Sequence, residues 1–400
     1  MGPAKSAGGI VYATAAGANV IDVDGNRYVD LAAGFGAELV GHRHPRVLRA
    51  LALQSERLLH ALGDVHPSDA KIALVERLAL LHPEPEAQAL VGQSGSDAVS
   101  AALKTALLAT GKPGVLAFAG AYHGLGYGPL AACGLRPSYR TPFAAQLNPA
   151  VIFVPYPDTL ERAADAVAEA ARALAAGEIG AVLIEPVLGR GGVVVPPAGF
   201  LAELGRLAHG AGALLVADEI WTGLGRSGAM LASVAAGARP DLICLGKGLG
   251  GGLPLSAVIG RRSVLAAWRQ ADEVVDTSTF AGAPLACTTA LATLEVLGRE
   301  KLVGRSAELG ASWREELARA FTSTPDVSVR GAGLMLGIDL GARPGAALAA
   351  LRSLLEQGFI ASTGGGQREV IVLTPPLTIA EPQLRAATSA IVRAVKESLA

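Results

Sequence analysis

The sequence predicts an α/β protein: a mostly parallel central sheet flanked by helices, joined to a smaller α+β domain. Three observations carry that reading. Short apolar runs recur through the middle of the chain, amphipathic segments lie between several of them, and the pattern changes after Phe280. In order, the runs are VLAFA (115–119), VIFV (151–154), AVLIE (181–185), ALLVAD (213–218), LICLG (242–246) and LSAVIG (255–260). Each is short and almost wholly apolar, as strands buried on both faces of a parallel sheet are. DTLERAADAVAEAARALAAG (158–177) and FLAELGRLAHGAG (200–212) carry apolar residues at helical spacing and read as the crossover helices of βαβ units. Beyond Phe280, helical stretches at 283–300, 305–321 and 380–399 dominate, with strand-like pieces in GLMLGIDL (333–340) and EVIVLT (369–374). The expected organisation is an N-terminal segment of the small domain at 1–45, a large domain at 46–282, and the C-terminal part of the small domain at 283–400.

A chain of 400 residues has ample core for this plan. Its formal net charge of −1 leaves no electrostatic footprint for nucleic acid or an anionic membrane. Charged residues make up only 17%, and mean hydropathy is +0.40, which fits a chain that buries further surface in an oligomer. Apolar stretches are all broken by glycines or charges before they could span a bilayer. MGPAKSAGGIVYATAAGA lacks the apolar core of a signal peptide. Cys133, Cys244 and Cys287 are odd in number and far apart, so neither a disulfide framework nor a zinc site is expected. A reducing cytoplasm is the expected setting.

Two predicted strands end in ionisable residues. Asp218 closes ALLVAD, and Lys247 follows LICLG between two glycines. As neighbouring parallel strands, their ends would meet at the carboxyl edge of the sheet, where open α/β sheets bind ligands. A pyridine cofactor held as a Schiff base explains the pair. The lysine amine would form the imine, and the carboxylate would keep the ring nitrogen protonated so that the ring accepts electrons. The competing reading is a structural ion pair, a weak source of stability when buried. GQSGSDAVSAALKTALLATG (92–111) is a Gly/Ser loop entering a helix. Its free N–H groups suit a phosphate, with Gly95 allowing close approach and Ser96 adding a hydroxyl; a plain serine cap is the alternative. In AYHG, Tyr122 and His123 stand just past the first run, where an aromatic ring can stack on a flat cofactor or simply fill core.

Three motifs mislead. GLGRSG (223–228) matches a dinucleotide fingerprint but is separated from its strand and lacks the downstream acid, so it reads as a loop. GKG at 246–248 lacks the hydroxyl residue of a P-loop, and GQSGS lacks the closing glycine of a nucleophile elbow. His42 and His44 form an isolated pair, with no acid or thiol expected beside them to complete a metal site.

Together the segments resemble the class III (subgroup II) aminotransferases, pyridoxal-phosphate enzymes of fold type I. The likeness runs through VIDVDGNRYVDLAAGFG, GHRHP, SGSDAVSAALK, AYHG, AVLIEPVLGRGGVVVPPAGFLAEL, LLVADEIWTGLGRSG, PDLICLGKGLGGGLPLSAVIG, TSTFAGAPLA, VRGAGLMLGIDL and LTPPLTI, nearly the whole chain. It implies that the large domain binds pyridoxal 5'-phosphate. Lys247 is then the Schiff-base lysine and proton shuttle, and Asp218 the partner of the ring nitrogen. Ile220 and Tyr122 cover the two ring faces, His123 lies beside them, and Glu185 shapes the site. Gly95 and Ser96 hold the phosphate, and Thr279 reaches it from the partner subunit of a homodimer with shared sites. No metal is implied.

The chain also departs from the family pattern. Many ω-amino-acid members carry a glutamate after the EP motif and an arginine before PPL, which alternate in substrate binding. Arg190 and Val372 occupy those positions here, and Trp221 replaces a glutamine set against the ring hydroxyl. These changes bring ornithine, acetylornithine and 4-aminobutyrate specificity into question and make Arg190 and Trp221 candidate substrate contacts, with Arg368 next. The expected reaction moves an amino group between an amine or amino acid and a keto acid or aldehyde. A racemase or epimerase, an aminomutase or a decarboxylating transaminase would share these residues.

Overall fold

Seven strands form the central sheet, in the spatial order Gln88–Gly92, Ser256–Gly260, Leu242–Leu245, Leu214–Asp218, Ile179–Ile184, Gly114–Phe118 and Val151–Val154. This is a computed structural model, describing residues 9–270, 274–341 and 343–399. The expected first eight residues of the N-terminal segment lie outside the described residues. Strands from Leu242–Leu245 to Val151–Val154 are parallel, and Ser256–Gly260 runs antiparallel to both its neighbours. Its reversal follows from chain length. Only residues 246–255 separate it from Leu242–Leu245, and a parallel crossover needs a dozen residues or more. The edge strand Gln88–Gly92 was not among the expected runs. All five of its residues are half-buried, so it carries no continuous core signal.

Side chains alternate across the sheet as strand geometry requires. Leu116, Phe118, Val182 and Ile184 face the helices Leu160–Ala175 and Phe200–Gly210. Leu160–Ala175 buries Ala163, Ala166, Ala170 and Leu174 as one stripe and starts at a Thr159 cap. Val115, Ala117, Leu183 and Val216 face the helix Gly95–Thr110 on the other side.

The expected helices after Phe280 are Pro284–Arg299, Leu302–Ala320 and Glu381–Leu399. The strand-like pieces become Met335–Asp339 and Val370–Leu373, paired in an antiparallel sheet with Ser328–Ala332 and Ser362–Gly364. Arg27–Asp30, in the N-terminal sheet, pairs with Phe359–Ile360, so the two ends of the chain meet. No helix among the described residues is long and apolar enough to cross a membrane.

Candidate active site

Four parallel strands deliver their carboxyl ends to one cavity of about 250 Å³. Gly114–Phe118 leads to Tyr122 and His123, Ile179–Ile184 to Glu185 and Arg190, Leu214–Asp218 to Asp218, Ile220 and Trp221, and Leu242–Leu245 to Lys247. Asp218 lies opposite Cys244 in register. The expected meeting of acid and lysine at the sheet edge is present. It is not an ion pair: Asp218 Oδ2 accepts from His123 Nδ1 at 2.7 Å, and Oδ1 accepts the Ile220 N–H at 3.1 Å. With a carboxylate opposite, the His123 proton belongs on Nδ1, which leaves the buried Nε2 without a partner among the described residues.

Lys247 sits at φ +43°, in the left-handed region that non-glycine residues enter only when their surroundings hold them there. Its Nζ lies 4.8 Å from the centroid of the Trp221 ring. Burial lowers the Lys247 pKa; the Asp218 and Glu185 carboxylates oppose the shift and Arg190 adds to it. Trp221 is wedged between glycines. A Cβ on Gly36 would stand 2.5 Å from its Nε1, and one on Gly189 2.3 Å from its Cε3.

Glu185 ties two walls together. Its Oε1 accepts the Tyr122 N–H at 2.7 Å and its Oε2 the Gly189 N–H at 2.9 Å. Burial pushes its carboxyl up to about 7, with His123 lowering it and Asp218 raising it. Arg190 lies with its guanidinium carbon 4.7 Å from the Tyr122 ring centroid.

At the opposite wall the helix Gly95–Thr110 begins. Its cap is Ser94, whose hydroxyl accepts from Asp97 N–H while the Asp97 carboxylate accepts from Ser94 N–H. The Ser96 hydroxyl is therefore spared capping and accepts the Gly126 N–H at 3.0 Å. Gly95 has no Cβ because one would press on Ile220 Cδ1 at 2.9 Å. Leu125 and Gly124 also line the cavity and escaped notice in the sequence, although Gly124 directly follows the AYH triplet.

Other expectations fall outside the cavity. Thr279 and Arg368 are exposed. Val372 is buried with Val187, Val193, Met335, Val370 and Trp221. One expectation is overturned: His42 and His44 do have acids beside them, Asp30 at 2.9 Å and Glu300 at 3.1 Å. Glu300 is remote in sequence, but Asp30 precedes His42 by only 12 residues, and Glu38, four residues before His42, lies 3.9 Å from its Nδ1. No cluster of three or more His, Cys, Asp or Glu side chains suited to a metal occurs among the described residues. GLGRSG is a loop without a strand entering it, and Arg226 within it is buried with Nη1 donating to Leu334 O and Pro375 O.

The cavity fits pyridoxal phosphate: an amine, a carboxylate braced by histidine, an aliphatic and an aromatic side chain, and a helix start at which Gly95 has no side chain and Ser96 presents a hydroxyl.

A sequence model described as "Aminotransferase class-III" matches residues 3–395. The acetylornithine aminotransferase of Mycobacterium tuberculosis is 40% identical over 376 residues, spanning 94% of this chain and 89% of that protein. That of Methanothermobacter thermautotrophicus is 34% identical over 383 residues, 96% of this chain and 93% of the relative. Among solved structures, the ornithine aminotransferase of Toxoplasma gondii superposes with a TM-score of 0.89 at 30% identity, covering 98% of this chain and 90% of that one. A PLP-bound amine transaminase from an uncultivated Pseudomonas species gives 0.90 at 29%, covering 98% and 97%.

Proposed function

The chain belongs to the class III aminotransferases, pyridoxal-phosphate enzymes of fold type I, and from that premise we propose how its own residues divide the work. It is a transaminase that uses pyridoxal 5'-phosphate, an amino donor and a keto acceptor. The cofactor, when bound, supplies an aldehyde carbon that takes up an amino group and a ring that draws electrons from the adjoining C–H bond.

Lys247 presents the nucleophilic amine. Burial holds more of it neutral than water would, so Nζ can attack a carbonyl carbon, and later take a proton from one carbon and return it to another. Asp218 provides the negative charge that keeps a ring nitrogen protonated, and His123 fixes the orientation of that carboxylate through Nδ1. Ile220 and Tyr122 flank the ring, Glu185 fixes the distance between the Tyr122 wall and the Gly189 turn, and Gly95 and Ser96 receive the phosphate at the helix start. The carrying observation is the half-buried Lys247, whose amine has no hydrogen-bond partner among the described residues, lining the same cavity as the His123–Asp218 pair.

The relatives act on acetylornithine or ornithine by name; this chain's donor is settled by screening amines and amino acids without a keto acid. Conversion of the bound cofactor to its amino form identifies a transaminase and its donor together. Retention of the aldehyde form with release of a racemised, rearranged or decarboxylated product would overturn the reading.

We further propose a homodimer, with Thr279 reaching the partner's phosphate site and the chain divided at 45 and 282 into large and small domains. An apolar surface supports it: Leu59, Leu62, Val65, Val274, Val275 and Phe280 are exposed together with Thr279, and the His60 and Phe280 rings lie 5.1 Å apart. A reducing, cytoplasmic setting suits three buried cysteines that are free of disulfides.

A further inference from the structure

Arg190 lines the cavity with Lys247, yet its side chain forms no ion pair and no hydrogen bond among the described residues. Neighbouring guanidinium groups are engaged: Arg136 donates to the carbonyls of Gly365 and Gly366, and Arg330 pairs with Asp339 at 2.8 Å. The two acids lining the cavity are committed as well, Asp218 to His123 and the Ile220 N–H, Glu185 to two backbone N–H groups. Nothing in the cavity neutralises Arg190.

Its backbone, by contrast, is held firmly. Leu188 and Val194 exchange backbone hydrogen bonds at 3.0 and 3.2 Å, closing the loop into a small hairpin. Glu185 anchors that loop at Gly189, and the Arg190 carbonyl accepts the Gly365 N–H at 2.8 Å. Tyr122 lies against the guanidinium. A planar fork held on a rigid loop and steadied by an aromatic ring is built for two parallel hydrogen bonds to a carboxylate.

Resting on the transaminase reading above, we infer that Arg190 binds the carboxylate of the substrate in each half-reaction, so that the enzyme takes carboxylate-bearing amino donors and keto acids and discriminates against simple amines. A simple amine forgoes both charge-assisted hydrogen bonds to the half-buried guanidinium, a larger loss than a missing apolar contact. No acid in the cavity is free to mask the charge, so the preference is fixed rather than switched. The Val372 position, buried in an apolar cluster, supplies no competing cation.

The test uses the holoenzyme, wild type and the variants Arg190→Gln and Arg190→Lys. Short unbranched amino acids are compared with alkylamines of matching length through the rate of cofactor conversion. Pentanoate is compared with pentanamide as a dead-end ligand, read by the cofactor's absorbance. In Arg190→Gln the preference for amino acid over amine in kcat/KM should fall roughly 10- to 100-fold, and pentanoate should weaken to match while pentanamide does not. Arg190→Lys should fall between the two, because it keeps the charge and loses the fork. An unchanged preference with unchanged pentanoate binding overturns the inference. So does loss of the cofactor itself from Arg190→Gln on gel filtration, which would place the guanidinium on the cofactor's phosphate. The pentanoate comparison needs no turnover, so it decides the role of Arg190 separately from whether the wild type transaminates.

Discussion

Lys247 and Glu185 are both driven towards their neutral forms by burial, one as a base and the other as an acid. For Lys247 the consequence is reactivity. Borohydride reduction of the holoenzyme followed by peptide mapping should place the cofactor on Lys247, and Lys247→Ala should retain cofactor through the remaining contacts while losing turnover by several orders of magnitude. A label on Lys104 or Lys112 would refute the assignment. For Glu185 the consequence is a pH dependence. A carboxyl whose folded pKa is about 7 binds more protons folded than unfolded between its ordinary value of 4.5 and 7. Stability contributed by this group is therefore present below that window and lost as pH rises through it, by up to about 3 kcal/mol. Urea midpoints of cofactor-free wild type and Glu185→Gln should differ most near about pH 5 and converge or cross by about pH 8. A gap independent of pH would show that Glu185 is not the titrating group. Asp218 and Lys247 were legible in the sequence because each ends an apolar run. Glu185's two backbone partners were not, since Tyr122 and Gly189 reach it only through the fold.

The parallel strands show what apolar runs can and cannot announce. Gly114–Phe118, Ile179–Ile184 and Leu214–Asp218 are buried on both faces, so their runs stand out and their ends predict the site. Direction is not encoded in such a run. Ser256–Gly260 is as apolar as its neighbours, and only the short connection before it identifies an antiparallel strand. The half-buried Gln88–Gly92 edge strand leaves still less trace, although it leads directly into the Gly95–Thr110 helix start. That helix start depends on the loop beyond Gly114–Phe118. Gly124 holds φ +106°, and a Cβ there would stand 2.6 Å from Ser96 Oγ and 3.2 Å from Ser96 Cα. Gly124→Ala should cost about 1–3 kcal/mol in folding stability from backbone strain. It should also weaken cofactor retention, because relief of the contact moves Ser96, while Gly177→Ala, strained alike at φ +82° but with open space around it, should leave retention intact. Equal retention in both variants would mean that the phosphate is not held at Ser96.

At the scale of the whole molecule the cavity draws on the segments that follow five of the seven central strands, from Gln88–Gly92 at one edge to Gly114–Phe118 beside the other, while Thr279 lies on an exposed surface away from it. Thr279 stands beside exposed Phe280, and the neighbouring Thr277 hydroxyl donates to Asp64, so the 274–281 and 58–65 segments lie together and expose Leu59, Leu62, Val65, Val274, Val275 and Phe280 among polar neighbours. Water covering those apolar side chains is unfavourable by about 25 cal/mol per Å² of apolar area, which a second copy would recover. The apolar composition is consistent with exposed apolar surface; where such surface lies could not be read from composition, because exposure is a property of the folded chain. If each copy lends Thr279 to its partner's phosphate, dimerisation and cofactor retention are linked. Thr279→Ala should then leave the dimer intact by sedimentation but raise the cofactor dissociation constant about 10- to 150-fold, the scale of about 1.5–3 kcal/mol for one hydrogen bond to a charged group. A charged substitution on the same face, Phe280→Asp, should instead dissociate the dimer and release cofactor in proportion to the monomer formed. Full activity from a monomer at assay concentration, or a Thr279→Ala dimer that holds its cofactor as tightly as wild type, would show that each chain completes its phosphate site alone.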